Sequence, residues 1–378
     1  MKITFSVSLT IVLTLLFRGP ADAQKIKSVG GVTVIANGKT PNPPPGQAAK
    51  IALTEELTIG QGENPDESFS AVGAFVVDPE GNIFALDTKD CNIKVYDKEG
   101  KFLRRIGRKG QGPGELGTSS GILMTGDDQI LVEDVSNRRL ALFKRSGEFI
   151  KSISTADKLG LVNLILDPQG GFAGREMGLT EGNVKMFFEI KKYNQDLKPL
   201  FSLDKIELPI PLPGSGAKIN PMEIMSIYQI DKDGRIYYGR NAEYEIKIYD
   251  REGNHIRTIQ KEYDRTKITK GDIDEMMERI GGAAPGGANL KYMITFPEYF
   301  PPFQQFLLDD RGRLYVRTYS KGKAKHEYAV DVFDAEGRFI AQLISKSELH
   351  LIKGDKAYGM EETEDGFRVI KRYAVSWK

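Results

Sequence analysis

The sequence predicts an all-β protein, a six-bladed β-propeller of four-stranded antiparallel blades with one short helical insertion. The main observation is a block that occurs twice, in residues 75–106 and in residues 227–259. In the first copy Asp78 is followed by Gly81, and an aromatic–Asp pair is followed by Gly100; the second copy keeps the same distances. An internal repeat of this size usually decides the architecture of a chain.

Each copy divides into four short strands. An apolar strand ends in Asp-x-x-Gly, a tight turn, and a second strand follows, such as NIFALD or RIYYGR. A polar turn leads to a third strand that ends in aromatic-Asp-x-x-Gly, and a hairpin leads to the fourth, such as KFLRRI or NHIRTI. These segments are rich in β-branched and aromatic residues and are bounded by Gly, Asp and Asn. Four such antiparallel strands make one blade.

Weaker copies of the block fill most of the remaining chain. They occupy residues 122–153, 163–203 and 305–344, which brings the number of units to five. The C-terminus supplies three further strands, and one strand is spare near the start, in residues 50–60. A ring that pairs this N-terminal strand with the last blade has no exposed sheet edge at the junction. We therefore predict six blades closed by the N-terminal strand.

The N-terminal residues have the pattern of a secretory signal. Lys2 precedes the apolar run 3–17, and Ala21-Asp22-Ala23 is an A-x-A cleavage site. We predict a signal peptide in residues 1–23, cleavage after Ala23, a secreted or periplasmic location and no membrane span after cleavage. The run is shorter than the roughly 20 residues that a spanning helix needs.

Two further segments lie outside the repeat. Residues 24–49 contain PNPPPGQ and are predicted to form a Pro-rich N-terminal arm before the propeller, residues 50–378. Residues 261–304 are an insertion. Within it, Thr269 and Asp272 precede the apolar set Ile273, Met276, Met277 and Ile280, and Gly281 follows. This pattern predicts a capped amphipathic helix.

Composition restricts the kinds of partner. The chain has 53 Lys and Arg against 52 Asp and Glu, so no overall charge favours nucleic acid or an anionic membrane. Cys91 is the only cysteine, which excludes an internal disulfide. It lies in a polar turn with no nearby His, and a catalytic role is not predicted.

The units resemble NHL repeats, as found in six-bladed propeller proteins that many bacteria export. The resemblance is carried by VDPEGNIFALD (77–87), NIKVYDKEGKFLRRIG (92–107) and the loop RKGQGPGEL (108–116). The segment FPPFQQFLLDDRGRLYVR (300–317) is similar to the entry into a late blade of such proteins. The resemblance covers roughly residues 50–378 and implies the fold, but it is unspecific for function.

Candidate binding residues lie where the antiparallel strands bring two kinds of connection to one face. These connections are the link from each fourth strand to the next blade and the turn between the second and third strands. The candidates on this face are Asp87, Lys89, Asn92, Arg108, Lys109, Gln111, Asn137, Arg138, Arg240 and Asn241. The alternative is structural, because Asp and Asn at turns hydrogen-bond the backbone.

The insertion adds aromatic residues to the candidates. These residues are Tyr292, Phe296, Tyr299 and Phe300. They would form a lid or partner surface, or pack on the flank of the fifth blade, and the sequence leaves both interpretations open.

Metal and cofactor chemistry has little support in the sequence. His255, His326 and His350 stand alone, without metal-ligand spacing. The repeated Asp of the Asp-x-x-Gly turns is predicted to cap its own turn, with a structural Ca²⁺ on the propeller axis as the alternative. No cofactor and no metal site are predicted.

The sequence favours an exported, non-enzymatic module that presents a propeller face to a protein, peptide or glycan. One alternative is a metal-dependent propeller enzyme of the lactonase or lyase type. A structural role in the cell envelope, with the Pro-rich arm as a tether, is a second alternative.

Overall fold

The computed structural model describes residues 24–378 except 63, 65, 159, 184, 211–215, 224, 241 and 282–292. It contains six sheets, and each has four antiparallel strands in blade order, with two further strands on one of the sheets, so the six-bladed propeller is confirmed. The predicted signal peptide and two candidate residues, Asn241 and Tyr292, lie outside the described residues.

The strands follow one another in the order that the repeat predicts. Before the first blade come β1 (Lys25–Val29), β2 (Val32–Asn37) and β3 (Ile51–Ile59). The first blade contains β4 (Val72–Val77), β5 (Ile83–Asp87), β6 (Asn92–Tyr96) and β7 (Phe102–Ile106). The second contains β8 (Gly121–Met124), β9 (Gln129–Asp134), β10 (Arg139–Lys144) and β11 (Phe149–Ser154). The third contains β12 (Val162–Leu166), β13 (Phe172–Leu179), β14 (Lys185–Tyr193) and β15 (Pro199–Pro209).

The remaining blades carry the insertion and the closure. The fourth blade contains β16 (Ser226–Ile230), β17 (Ile236–Arg240), β18 (Glu245–Tyr249) and β19 (His255–Lys261). The helix α1 (Lys270–Gly281) follows it. The fifth contains β20 (Phe303–Leu308), β21 (Leu314–Lys321), β22 (Tyr328–Phe333) and β23 (Phe339–Ser345). The sixth contains β24 (Glu348–Lys353), β25 (Lys356–Glu362), β26 (Arg368–Trp377) and β3.

The repeated Asp-x-x-Gly motif forms the turn between the first and second strands. In the first blade the N–H of Gly81 donates to the carbonyl of Asp78 at 3.1 Å, and the carboxylate of Asp78 accepts from the N–H of Asn82 at 2.8 Å. Gly81 has a φ of 91°, which L side chains rarely adopt. Asp231 and Asp309 accept from their own turns in the same way. The repeated carboxylates therefore hold turns.

The ring closes as predicted, through the N-terminal strand. β3 pairs antiparallel with β26, with Ile51 opposite Trp377 and Ile59 opposite Ile370. Apolar clusters fill the spaces between neighbouring blades; one contains Phe84 and Ile93 of the first blade with Val132 of the second. The blades are stabilised by burial of this apolar surface.

A two-stranded hairpin extends the fourth blade, and the sequence analysis missed it. β1 pairs with β2, and β2 lies parallel to β19, so the first half of the Pro-rich arm belongs to a six-stranded sheet. The buried side chain of Asn37 donates to the carbonyls of Gln260 and Gly337, each at 3.0 Å, and accepts from the N–H of Phe339 at 2.9 Å. The hairpin therefore connects the fourth and fifth blades.

Two features rise from the face that carries the blade-to-blade connections. The third blade has long strands. Its fourth strand, β15, has 11 residues, whereas β7, the fourth strand of the first blade, has 5. The insertion forms α1, whose Ile273 and Met276 pack in one cluster with Tyr319 of the fifth blade. Thr269 and Asp272 cap the helix reciprocally, with the N–H of Thr269 donating to Asp272 at 2.9 Å. Within the described residues, no helix has the length and apolar character needed to cross a membrane.

Candidate functional site

The loop 108–116, a candidate from the sequence, is held by its own side chains. The carboxylate of Glu115 accepts from the N–H of Gly112 at 2.9 Å, from Arg108 Nε at 3.0 Å and from the N–H of Gln111 at 3.1 Å. The N–H of Gly112 and then the Arg108 side chain lower the pKa of Glu115. Arg139 donates to three carbonyls of the same loop. Arg108 and Gln111 thus take part in the loop's own framework.

Asp87 lies at the end of β5 and is fully buried. Its carboxylate accepts from the N–H groups of Ser70 at 2.7 Å and Ala71 at 3.1 Å, and it lies 3.3 Å from Lys94 Nζ. Asp134 holds the corresponding position at the end of β9, where it accepts from the N–H of Gly117 at 2.9 Å. Both carboxylates fix the connection that enters their own blade.

The other candidates on the first two blades lie in turns. Lys89 and Arg138 are exposed, Lys109 forms a bridge to Leu116, and Asn92 is buried. Asn137 donates to Asp134 at 2.7 Å and to the carbonyl of Gly110 at 3.0 Å. The structure does not gather these residues with the candidates of the fourth blade and the insertion.

A second group of candidates does come together, around a cleft of about 820 Å³ that we call the aromatic–proline cleft. One wall consists of Lys205, Ile206, Glu207 and Leu208 of β15. The opposite wall consists of Pro297, Tyr299, Phe300, Pro301 and Pro302 of the insertion. Arg240, Tyr263 and Arg265 also line it. Of the residues predicted from the sequence, Arg240, Tyr299 and Phe300 therefore share one site.

The aromatic side chains of the cleft are fixed by neighbours. The guanidinium of Arg265 lies 4.1 Å from the ring centroid of Tyr299. Phe300 stacks on Tyr319 of the fifth blade, with centroids 4.3 Å apart and planes at 12°. Phe296 packs beneath them against the cluster of Met222, Ile268 and Phe300. This cluster anchors the insertion above the fourth and fifth blades, so the wall is built before any ligand arrives.

The charged groups on the β15 wall are paired with one another. Lys205 lies 2.9 Å and Lys185 lies 3.6 Å from the carboxylate of Glu207, and Lys205 is the larger cause of a lowered pKa of Glu207. Arg240 lies 3.8 Å from Asp204, whose carboxylate also accepts from the hydroxyl of Tyr238. The cleft therefore offers paired charges beside apolar surface.

Sequence reasoning missed the residues that β15, Tyr263 and Arg265 contribute. The third unit is the most degenerate copy of the repeat, and its predicted end at residue 203 leaves out the part of β15 that lines the cleft. The only sequence feature that could have indicated this wall of the cleft was the length of chain between the third and fourth units.

The three histidines lie apart, on β19, in the β21–β22 connection and on β24. Across the part of the chain that the structure describes, no group of three or more His, Cys, Asp or Glu side chains is placed to hold a metal ion.

Comparison with known proteins supports the fold. The family model DUF5128, described as a 6-bladed beta-propeller, matches residues 76–124. No curated protein matches the sequence. The chain is similar to the structure of a putative exported protein from Bacteroides fragilis, with a TM-score of 0.56, 12% identity and coverage of 91% of this chain and 99% of that one.

Two further solved structures are similar to most of the chain. A member of the DUF4221 family from Bacteroides vulgatus has a TM-score of 0.53 and 14% identity, and the match covers 88% of this chain and 100% of that one. Virginiamycin B lyase from Staphylococcus aureus has a TM-score of 0.45 and 10% identity, with coverage of 86% and 99%. Similarity at these identities concerns the fold alone.

Proposed function

We propose that this protein is an exported, non-enzymatic binding protein that holds an extended peptide segment of a partner in the aromatic–proline cleft. The observation that carries this proposal is the composition of the two walls. Four consecutive residues of an edge strand line one wall, and a rigid aromatic–proline segment lines the other.

An edge strand favours a peptide over a glycan. β15 is the last strand of its sheet, and among the described residues no other strand pairs with its outer side. The outward N–H and C=O groups of an edge strand can bind an extended chain by strand addition. Aromatic side chains opposite it supply contact area for the side chains of that peptide.

Export is part of the same proposal. It rests on the predicted signal peptide, and the exported label of the Bacteroides fragilis protein of similar fold agrees with it. A partner would then be a protein of the cell envelope or of the surroundings of the cell.

Site-specific photo-crosslinking tests the proposal. A photoreactive phenylalanine analogue is placed at Tyr299 in one variant and at Lys109, on the same face, in a matched control. We expect crosslinks to a peptide segment of one envelope protein from Tyr299 only. Equal crosslinking from Lys109, or none from Tyr299, would count against the cleft.

Point variants give an independent measure. Tyr299→Ala with Arg265→Ala removes the stacked pair and should weaken capture of the crosslinked peptide at least tenfold, a loss of about 1.4 kcal/mol. Arg108→Ala should leave capture unchanged. The metal-dependent lactonase or lyase remains the alternative, and a stoichiometric, tightly held ion together with chelator-sensitive turnover would favour it.

A further inference from the structure

The aromatic–proline cleft lies against the edge of β15 and not against one side of the sheet. Side chains along a strand alternate between the two sides of a sheet, yet four consecutive residues of β15, 205–208, line the cleft. A cleft that is lined by both sets of side chains runs along the edge itself, where main-chain N–H and C=O groups point outward. Four residues of strand are about 13 Å long. The edge therefore has room for a short extended segment.

The two sides of β15 differ in chemistry at this edge. On one side, the ammonium group of Lys205 lies 2.9 Å from the carboxylate of Glu207 and 5.1 Å from the ring centroid of Phe187. On the other side are Ile206, which is 6% exposed, and the half-buried Leu208. Charged and apolar side chains therefore alternate along the part of the edge that lines the cleft.

The apolar side continues across the sheet. In the neighbouring strand β14, Met186 lies opposite Leu208. Phe188 lies opposite Ile206. These four side chains form an apolar stripe that ends at the edge. The stripe faces the fourth blade, because Asp204, on the same side of β15, accepts a hydrogen bond from a tyrosine of that blade. A strand added at the edge would extend the stripe and bury the exposed part of Leu208.

The opposite wall of the cleft favours a β-strand over a proline-rich peptide. Proline-rich peptides dock on the aromatic rings that line a groove. In this cleft the rings already have partners: the Arg265 guanidinium lies 4.1 Å from the ring centroid of Tyr299. Phe300 is buried and stacks on Tyr319 at 4.3 Å. Proline also lacks the N–H group that an edge strand pairs with.

The spacing of the edge side chains disfavours an amphipathic helix as well. A helix places apolar side chains on one face at spacings of three and four residues, whereas a strand places them at every second residue. The apolar residues of the edge, Ile206 and Leu208, are two residues apart, and a charged residue lies between them. A ligand with the same spacing matches both sides of β15.

We propose that the segment held in the aromatic–proline cleft is an amphipathic β-strand, with apolar side chains at every second position and charged or polar side chains between them. The apolar side chains extend the stripe that ends at Ile206 and Leu208, and the others lie beside Lys205 and Glu207. The class of ligand rests on the proposed function, that a peptide occupies this cleft. The partner is then a protein that offers an unpaired strand of this pattern.

Selection from a displayed library of random peptides tests the pattern. The peptides are about ten residues long, more than the edge can pair with, and the target is the full-length mature protein. Peptides that bind the Tyr299→Ala, Arg265→Ala double variant equally well are removed, so the remaining set depends on the cleft. We expect apolar residues at every second position in this set.

The other outcomes separate this inference from the proposed function. Enrichment of Pro-x-x-Pro, or of apolar residues at spacings of three and four, would overturn the amphipathic strand and leave a peptide-binding cleft in place. An empty set would contradict both.

A pair of variants locates the strand on the protein. Leu208→Asp places a charge at the end of the apolar stripe and should weaken binding of the most enriched peptide at least about tenfold. The matched control is Leu200→Asp, on the same strand but 59% exposed and outside the cleft, which should leave binding unchanged. Equal losses for the two variants, or unchanged binding by Leu208→Asp, would contradict the placement.

N-methylation of the enriched peptide tests strand addition without altering the protein. In an added strand, the N–H groups of alternate residues point to β15 and those of the residues between point away from it. Methylation of one alternate set should therefore weaken binding at least about tenfold more than methylation of the other set, as measured by fluorescence anisotropy of the labelled peptides. Equal effects of the two sets would refute a β-strand in the cleft.

Discussion

Replacing Asp87 by Ala separates a structural role of this candidate residue from a binding role. The carboxylate is fully buried and accepts from three backbone N–H groups, those of Ser70, Ala71 and Asp90, at 2.7, 3.1 and 3.2 Å. It also pairs with Lys94, whose side chain is 1% exposed. Removal leaves buried donors without this acceptor and takes away one of the two carboxylates, those of Asp87 and Asp90, that lie within 3.4 Å of the Lys94 ammonium group. The expected loss in the free energy of unfolding is therefore about 3 to 5 kcal/mol.

Urea unfolding followed by the fluorescence of Trp377, the only tryptophan, measures this loss. The matched control is Asp97→Ala, because Asp97 also accepts from two turn N–H groups but at the surface, where water replaces it. The control should lose about 1 kcal/mol. Adding Lys94→Met to Asp87→Ala should restore part of the stability. The structural role of Asp87 would be refuted by two results together. One is a loss of unfolding free energy for Asp87→Ala that is no larger than the loss for Asp97→Ala, and the other is a loss of peptide capture by Asp87→Ala.

Three further predictions concern the ring and the insertion. Burial raises the pKa of Glu133 above its ordinary 4.5, so its contribution to stability is present below about pH 4.5 and is lost as pH rises through the folded-state pKa. Glu133→Gln should flatten this part of a plot of urea midpoint against pH, and an unchanged slope would contradict the assignment. Thr269→Ala removes a helix cap worth about 1 kcal/mol and should speed amide exchange in residues 270–278 only. Faster exchange throughout the ring would show that Thr269 stabilises the propeller and does more than cap α1. Asn37→Ala removes three hydrogen bonds of a buried side chain, including the one to Gly337, and should lower the free energy of unfolding by about 2 kcal/mol. A change within about 0.5 kcal/mol, a typical surface effect, would show that the hairpin does not join the blades.

Much of the fold could be predicted because successive blades repeat the same turn residues at the same spacing. Asp78 and Gly81 form a turn by local hydrogen bonds, and the same local pattern recurs at Asp231 and Gly234. The closing strand could also be predicted, since a spare strand and an incomplete blade have one natural pairing. The capped helix at Thr269 followed from local spacing in the same way.

The hairpin of β1 and β2 could not be predicted, because it depends on a contact between distant parts of the chain. Asn37 reaches Gly337 across 300 residues, and nothing in a sequence pattern specifies that partner. The aromatic–proline cleft was only partly predicted for the same reason. Tyr299 and Phe300 stood out as aromatic residues in an insertion, but the opposite wall comes from β15, where the repeat had lost its pattern.

Amide hydrogen exchange of the complex with the captured peptide tests most directly the central claim, that a peptide binds in the aromatic–proline cleft. If the peptide adds to β15, exchange should slow in residues 205–208 and 298–300 and remain unchanged in the loop 108–116 and in the Asp-x-x-Gly turns. Slower exchange in the loop 108–116 or in the repeated turns, with no change in β15, would contradict the account.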